Sequence, residues 1–326
     1  MRQRLTVEQY LTEWLGAMAV RVTTGDLRPK TLYDYEKWVR LHLVPGIGRI
    51  KLARLSVAQV QDLLDSQRSN LSRRSIQMTR DILRNALNWH EGNGIVSRNV
   101  AGEVRVRRVS QEKVHPYNPQ EAQTFIEAAR GHRLGALFIT AITCGLRQSE
   151  LIGLRWNDLD LDLARLRVRT TLQQVRGEWV DGEPKSDASK RTLPLPALTV
   201  KALKAHRTQQ WGERLMAGPV WDNQRDLVFC THSGGPLGAR NLTRDFHKLT
   251  KRAGLRTVTF HNLRHSTASL LVATNSQLTE IKELLGHSDI RLTSNTYTHL
   301  FDEAKRAAMD KLDDALSGRP TQEARA

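Results

Sequence analysis

Two cysteines in 326 residues, Cys144 and Cys230, supply no disulfide framework and no paired-cysteine zinc spacing. A reducing interior is the default for such a chain. Long apolar runs are also missing. The longest, Leu134 to Cys144, is interrupted by Gly135, Thr140 and Thr143 and is too short to span a bilayer. No apolar stretch follows Arg2 and Arg4, so neither a secretory signal nor a membrane partner is expected, and a cytoplasmic, nucleoid-associated location is. The chain contains no HExxH, no Walker A sequence and no glycine fingerprint. Asp158, Asp160 and Asp162 imitate the start of a calcium loop. Leu163 stands where that loop needs glycine, and Arg169 where it needs glutamate. Period-two aspartates on the outer face of a strand account for them better, and no metal site is expected. A metal-dependent transposase needs separated carboxylates gathered on one centre, and nothing singles out such a set.

What the chain does have is positive charge. Lys and Arg number 50 against 34 Asp and Glu, a formal net charge of +16. The excess is not a tail effect. Residues 1–114 hold 20 basic and 11 acidic side chains, and residues 115–326 hold 30 and 23. Both parts suit contact with one long polyanion, although a merely basic protein would also read this way.

Residues 5 to about 100 carry helical periodicity. Tyr10, Leu11, Trp14, Leu15 and Met18 share one face of a first helix. Pro29 opens a second helix, which Pro45 and Gly46 are expected to stop. Val57, Val60, Leu63 and Leu64 mark a third. Ser72 caps a fourth, with Ile76, Leu83, Ala86 and Leu87 inward. Its other face offers Arg73, Arg74, Arg80 and Arg84, a stripe that suits phosphates or plain solvent equally. Periodicity fails over 101–115, where Arg105, Arg107, Arg108 and Lys113 sit among small and polar residues. This predicts a basic linker, able to strap DNA or simply solvated.

A second domain opens with Asn118 as cap, Pro119 next and Glu121 in the first turn. A very apolar helix from Leu134 to Cys144 follows, ended by Gly145. Leu159 to Thr170 alternates as two strands with a turn, and 171–195 predicts a further hairpin with its polar tip around Asp181, Gly182 and Lys185. Beyond Ala197 the pattern is helical, apart from a short strand at Leu227 to Cys230 and a Gly234-Gly235-Pro236 turn. The expected layout is a helical domain over 1–100, a linker over 101–115, an α+β domain over 116–317 and a disordered tail over 318–326. The fold class is mainly α with a small β component.

Chemistry-bearing residues cluster in the second domain. Arg147 and Glu150, in Gly145-Leu146-Arg147-Gln148-Ser149-Glu150, are three apart and share a face if helical. They make either a rigid fork for two phosphate oxygens or a structural ion pair. His261 and Arg264 repeat that spacing in His261-Asn262-Leu263-Arg264-His265. A proton-trading histidine beside an anion-binding arginine fits phosphoryl transfer, though HxxR alone is a weak signal. Leu285-Gly286-His287-Ser288 places another histidine past a helix end, and Tyr297 follows ten residues later.

The ordered set GLRxSE, PKSxxSxR, HxLRH, LGHS and Tyr resembles the tyrosine recombinase family, which includes phage integrases and Xer-type recombinases. The resemblance spans the second domain. The first domain, ending in Arg98-Asn99-Val100 and a basic linker, is similar to that family's core-binding domain. It implies a two-domain clamp on DNA. Arg147 and Arg264 then match the two arginines on the scissile phosphate, and Glu150 the acid supporting the first. Lys185 matches a hairpin lysine that protonates the leaving 5′ oxygen, with Lys190 and Arg191 close enough to compete for that match. His261 matches the first histidine of HxxR, His287 the His-or-Trp position, and Tyr297 the nucleophile that forms a 3′-phosphotyrosyl link. The link conserves the phosphodiester energy, so no cofactor is implied.

The implied partners are double-stranded recombination sites, a homotetramer passing through a four-way (Holliday) junction, and an accessory DNA-bending or directionality factor. Leu300, Phe301, Ala304, Ala307, Ala308 and Leu312 form an apolar face that relatives dock on a neighbouring protomer; packing on its own domain is the alternative. The chain starts almost at the core-binding domain, and the expectation is that an arm-site domain is either absent or removed. The leading expectation is an integrase of a phage or integrative element. A Xer-like or transposon resolvase, a DNA-binding relative without catalysis and a type IB topoisomerase are its competitors.

Overall fold

A computed structural model describes residues 5–91, 98–106, 115–184, 187–274 and 276–286. Two compact units divide the chain, Met1–Glu112 and Lys113–Ala326, each around its own core.

The first unit is helical. α1 (Val7–Thr23) starts at a reciprocal cap in which the Thr6 hydroxyl accepts from the Gln9 amide and the Gln9 side chain accepts from the Thr6 amide. It buries Val7, Tyr10, Leu11, Trp14 and Met18. α2 (Pro29–Trp38) begins with Pro29, whose missing N–H costs nothing in a first turn. Pro45 and Gly46 do not stop this helical run as expected. A π-helical turn over Val39–Leu43 carries it into α3 (Val44–Ile47). The Val44 amide reaches back five residues to the Val39 carbonyl, so Pro45 falls in a new first turn where it needs no donor. Gly46 serves packing, because a Cβ there would lie 2.3 Å from Leu63 Cδ1.

α4 (Val57–Ser66) buries Val60, Leu63 and Leu64. α5 (Arg73–Glu91) is preceded by Ser72, whose hydroxyl accepts from the Ser75 amide, and buries Ile76, Leu83, Ala86 and Leu87. The stretch expected as a linker from residue 101 begins inside this unit instead. Asn99 caps α6 (Val100–Glu103), its side chain also donates to the Arg84 carbonyl, and Ala101 and Val104 are buried in the first core. Two small apolar residues there were enough to dock a segment that lacks helical periodicity.

The second unit is built around one helix. α7 (Pro119–Arg130) follows the predicted cap, with Asn118 and Glu121 exchanging side-chain-to-amide bonds. α8 (Gly135–Cys144) is buried on nearly every side, as its all-round apolar sequence requires. α7, α10 (Ala197–Ala217) and α12 (Asn262–Ala273) pack against it. Gly135 permits the α7–α8 corner, since a Cβ would lie 2.1 Å from the Ala129 carbonyl. Phe138 is fully buried, with its ring 6.2 Å from Phe125, 6.3 Å from Phe246 and 6.5 Å from Phe260.

Between α9 (Gln148–Ile152) and α10 lie two small antiparallel sheets. β1 (Leu159–Asp160), β2 (Arg165–Val168) and β5 (Arg191–Pro194) form one in the order β1-β2-β5. Leu166 and Val168 of β2 face the core while Arg165 and Arg167 face out. β3 (Thr171–Val175) and β4 (Glu178–Gly182) form a separate hairpin. Its tip is Arg176-Gly177, both at positive φ, the pattern of a two-residue hairpin turn. The tip expected at 181–185 is therefore displaced, and Asp181 and Gly182 belong to β4. Leu227 and Cys230 make isolated bridges rather than a strand.

The three aspartates do separate work, only partly on a strand. Asp158 is buried against Arg169 at 3.0 Å, Asp160 on β1 accepts from the Asp162 and Leu163 amides, and Asp162 pairs with Lys204. Among the described residues no cluster of His, Cys, Asp and Glu could hold a metal ion, and no helix is long and apolar enough to cross a membrane. α11 (Ala239–Arg252) and α13 (Leu278–Leu285) are the remaining α-helices among the described residues of this unit.

Phe138→Ala removes the ring around which three other phenylalanines gather. It should lower unfolding free energy by about 3–5 kcal/mol, read as a shifted denaturant midpoint of the second unit.

Candidate active site

The site grows from the end of α8. Gly145 closes that helix at φ 60°, a left-handed position that favours glycine. A Cβ there would lie 2.5 Å from Leu285 Cδ2, so glycine also admits the end of α13. Leu146 plugs into the core and leaves Arg147 as the extended cap of α9.

The predicted pairing of Arg147 with Glu150 forms. Glu150 Oε1 accepts from Arg147 Nη1 at 2.7 Å, and Oε2 accepts from the Arg147 amide at 3.0 Å. The carboxylate is buried to 2% exposure. Burial alone would raise its pKa, but Arg191 and then Arg147 beside it hold it below the usual carboxylate value.

Arg264, on the first turn of α12, is buried and donates from Nη1 to the Gly145 carbonyl at 2.7 Å and from Nη2 to the Leu285 carbonyl. Arg147 Nη2 donates to the next carbonyl, Gly286, at 3.3 Å. Arg191 Nε donates to the one before, Leu284, at 2.8 Å. Three guanidiniums thus take three consecutive carbonyls at the end of α13, where a helix carries partial negative charge.

His261 caps α12. Its residue surface is solvent-exposed, yet the protein crowding its ring, followed by the positive charges of Arg264 and Arg147, lowers its pKa. His265, one turn on, stacks edge-to-face with it at 5.1 Å and is pushed down to about 4, first by burial and then by His261 and Arg264. At neutral pH both rings are uncharged. His261 can then accept a proton, while three cations against one carboxylate leave the pocket positive.

The structure brings Arg147, Glu150, His261 and Arg264 into one pocket. Lys185, His287 and Tyr297 lie outside the described residues, as do Arg107 and Arg108. Lys190 pairs with Glu183 at 2.9 Å, and Arg191 is buried in the site's floor. In the first unit Arg73 and Arg105 line one cleft with Arg68 and Asp65. Arg73, Arg80 and Arg84 share a face of α5, Arg74 lies about 100° round it, and Arg80 is engaged by Asp81 at 2.6 Å.

Two features escaped the sequence reading. One is the buried place of Arg191 beside Glu150, a residue the sequence offered only as a rival to Lys185. The other is α11, which buries Leu242, Phe246 and Leu249 and presents Arg240, Arg244, Lys248 and Lys251 to solvent. That spacing was legible as a basic helical face. The helix is tied to the site by Gln148, whose Nε2 donates to the Ala239 carbonyl and the Thr243 hydroxyl.

A helical unit is followed by an α+β unit in which buried arginines, a carboxylate and a neutral histidine share one pocket, an arrangement suited to an anion. The chain belongs to the phage integrase family, whose model matches residues 117–304, while the phage integrase N-terminal SAM-like domain matches 6–68. It is a tyrosine recombinase, an enzyme of site-specific recombination. A tyrosine recombinase XerC-like protein of Caldanaerobacter subterraneus subsp. tengcongensis is 30% identical over 331 residues, covering 96% of this chain and 84% of that protein. The fold is similar to that of the Tn1549 transposon integrase in complex with a circular intermediate DNA (TM-score 0.77, 21% identity, 94% of this chain and 99% of that one). It is also similar to that of a lambda integrase tetramer bound to a Holliday junction (TM-score 0.66, 19% identity, 90% and 77%).

The histidines set an expected pH dependence. His265 has a folded-state pKa near 4 against 6.5 when unfolded. The unfolded chain therefore takes up that proton first on acidification. Its contribution to stability is complete above pH 6.5 and is lost as pH falls toward 4. The melting temperature should drop across that window, and His265→Gln should make the drop shallower. An unchanged slope in the variant would refute the assignment.

Proposed function

We propose that the enzyme cleaves double-stranded DNA with Tyr297, forms a 3′-phosphotyrosyl link and rejoins strands in pairs through a Holliday junction as a homotetramer. The observation that carries this is the pocket in which Arg147 and Arg264 converge on the end of α13 beside a neutral His261. Both guanidiniums stabilise charge as the phosphate becomes pentacoordinate. Glu150 aims Arg147. His261 exchanges a proton with the Tyr297 hydroxyl, which needs a base or a cationic site because an unperturbed phenol has a pKa near ~10. Lys185 protonates the departing 5′ oxygen, and His287 donates to the phosphate.

Contacts to the DNA backbone come from Arg73, Arg74, Arg84, Arg105, Arg107 and Arg108, with Arg80 in reserve, and from the basic face of α11. The apolar residues from Leu300 to Leu312 dock on a neighbouring protomer, which fits the tetramer named for the lambda relative. Integration of a mobile element is the preferred reading and Xer-like resolution the alternative, since both integrases and XerC-type recombinases are among the similar proteins. The enzyme works on chromosomal DNA in the cytoplasm, with an accessory DNA-bending or directionality factor as a further partner.

The test is covalent trapping on a nicked duplex from the element's own junction with flanking DNA. Wild type should give a denaturation-resistant adduct and Tyr297→Phe none, while an equal adduct in the variant would move the nucleophile elsewhere. Arg264→Ala should slow cleavage by on the order of 10²-fold or more. For the α11 face, Arg244→Ala and Lys248→Ala should each weaken DNA binding across sequences and lower the salt slope by about 1. An unchanged slope in both would remove α11 from the interface.

A further inference from the structure

We infer that Arg191 is the positioning residue of this site, holding Glu150, and through it Arg147, in fixed register with the C-terminal end of α13. It rests on the role proposed for Arg147 and adds to it a residue that meets no substrate. The Arg191 side chain is only 6% exposed, so DNA cannot reach it.

Its hydrogen bonds run to the frame of the site. Nη2 donates to Glu150 Oε2 at 3.3 Å, the carboxylate oxygen that also accepts from the Arg147 amide. Nε donates to the Leu284 carbonyl at 2.8 Å, and Nη1 to the Ser189 carbonyl at 3.1 Å. A Cβ on Gly286 would stand 3.0 Å from Nη1 and 3.1 Å from Cδ, so the end of α13 rests on the Arg191 stem. The backbone of Arg191 is in turn fixed, paired in β5 opposite Val168 of β2.

One rigid side chain therefore joins the sheet, the carboxylate that aims Arg147 and the helix end that precedes His287 in the chain. Its planar fork is what such a three-way tie needs. A lysine ammonium has the charge and lacks the fork.

The experiment uses the full chain and the nicked duplex described above, reading three quantities: DNA affinity, the first-order rate constant of single-turnover cleavage, and the amplitude of covalent adduct. A residue that only stabilises the fold changes amplitude and leaves the rate constant of the folded fraction alone. Arg191→Met should lower the rate constant by about 10- to 100-fold, the range for residues that orient another, with affinity within about 3-fold of wild type. Arg191→Lys should fall between the two.

Hydrogen exchange on DNA-free protein supplies a readout that needs no cognate site. In Arg191→Met the Arg147 and Gly286 amides should lose protection while those of α8 keep theirs. An unchanged rate constant, a loss confined to amplitude, or unchanged protection at Arg147 and Gly286 would each overturn the inference. Arg147→Ala separates it from the reading beneath it. If that variant cleaves like wild type, the phosphate role of Arg147 fails, whatever Arg191 does.

Discussion

The Glu150 carboxylate is the constraint on which the arginine pocket depends. It sits at 2% exposure, where an unpaired charge would be untenable, and is kept ionised by Arg191 on one side and Arg147 on the other. A buried ion pair of this kind adds little net stability over an apolar equivalent, yet losing one partner strands the other at a cost of about 3–5 kcal/mol. What such a group provides is a fixed direction. Arg147 is capped by Glu150 through its amide as well as its guanidinium, so backbone and side chain are aimed by the same acid.

That direction is useful because α8 is packed on nearly every side. A helix buried on almost all sides has no solvent face along which to slide, and its ends are set by close backbone approach at Gly135 and Gly145. α12 is tied to it by Thr267, whose hydroxyl donates to the Ile142 carbonyl at 2.7 Å, and by Arg264 on the Gly145 carbonyl. The two arginines therefore start from different helices and share one anchor. The small sheets contribute through β5, which brings Arg191 to the floor. Core and pocket are continuous, so packing precision becomes geometric precision in the site.

Much of this was legible in the chain. Caps at Asn118 and Ser72, the all-apolar α8, its glycine stop and the Arg147–Glu150 pair follow from local rules, and local rules held. What failed depended on partners distant in sequence. Pro45 looked like a stop because a π-helical turn upstream leaves no mark in composition. Residues 101 and 104 looked like linker because two small apolar side chains carry no period, and only the α4–α5 surface makes them core. The β3–β4 tip was set at Asp181 on polarity, although the turn chemistry of Arg176-Gly177 was there to read. Arg191 was set aside as a rival to a lysine because burial of a cation is invisible until its acceptors, at positions 150 and 284, arrive from other elements.

The remaining question is why the fold tolerates so much like charge. Arg147 and Arg191 share one carboxylate, Arg264 joins them at the end of α13, and burial lowers the Arg191 pKa despite the neighbouring acid. A sequence selected for stability alone would place apolar side chains on this floor, as substitutions at buried ion pairs show. The unit instead offers the carbonyl end of α13 as a partial counter-charge, with one acceptor for each guanidinium. A helix end carries only about half a unit of negative charge, so the pocket stays cationic. An electrostatic strain left standing inside an otherwise well-satisfied core is what the proposed phosphate site requires, since an arriving anion would relieve it.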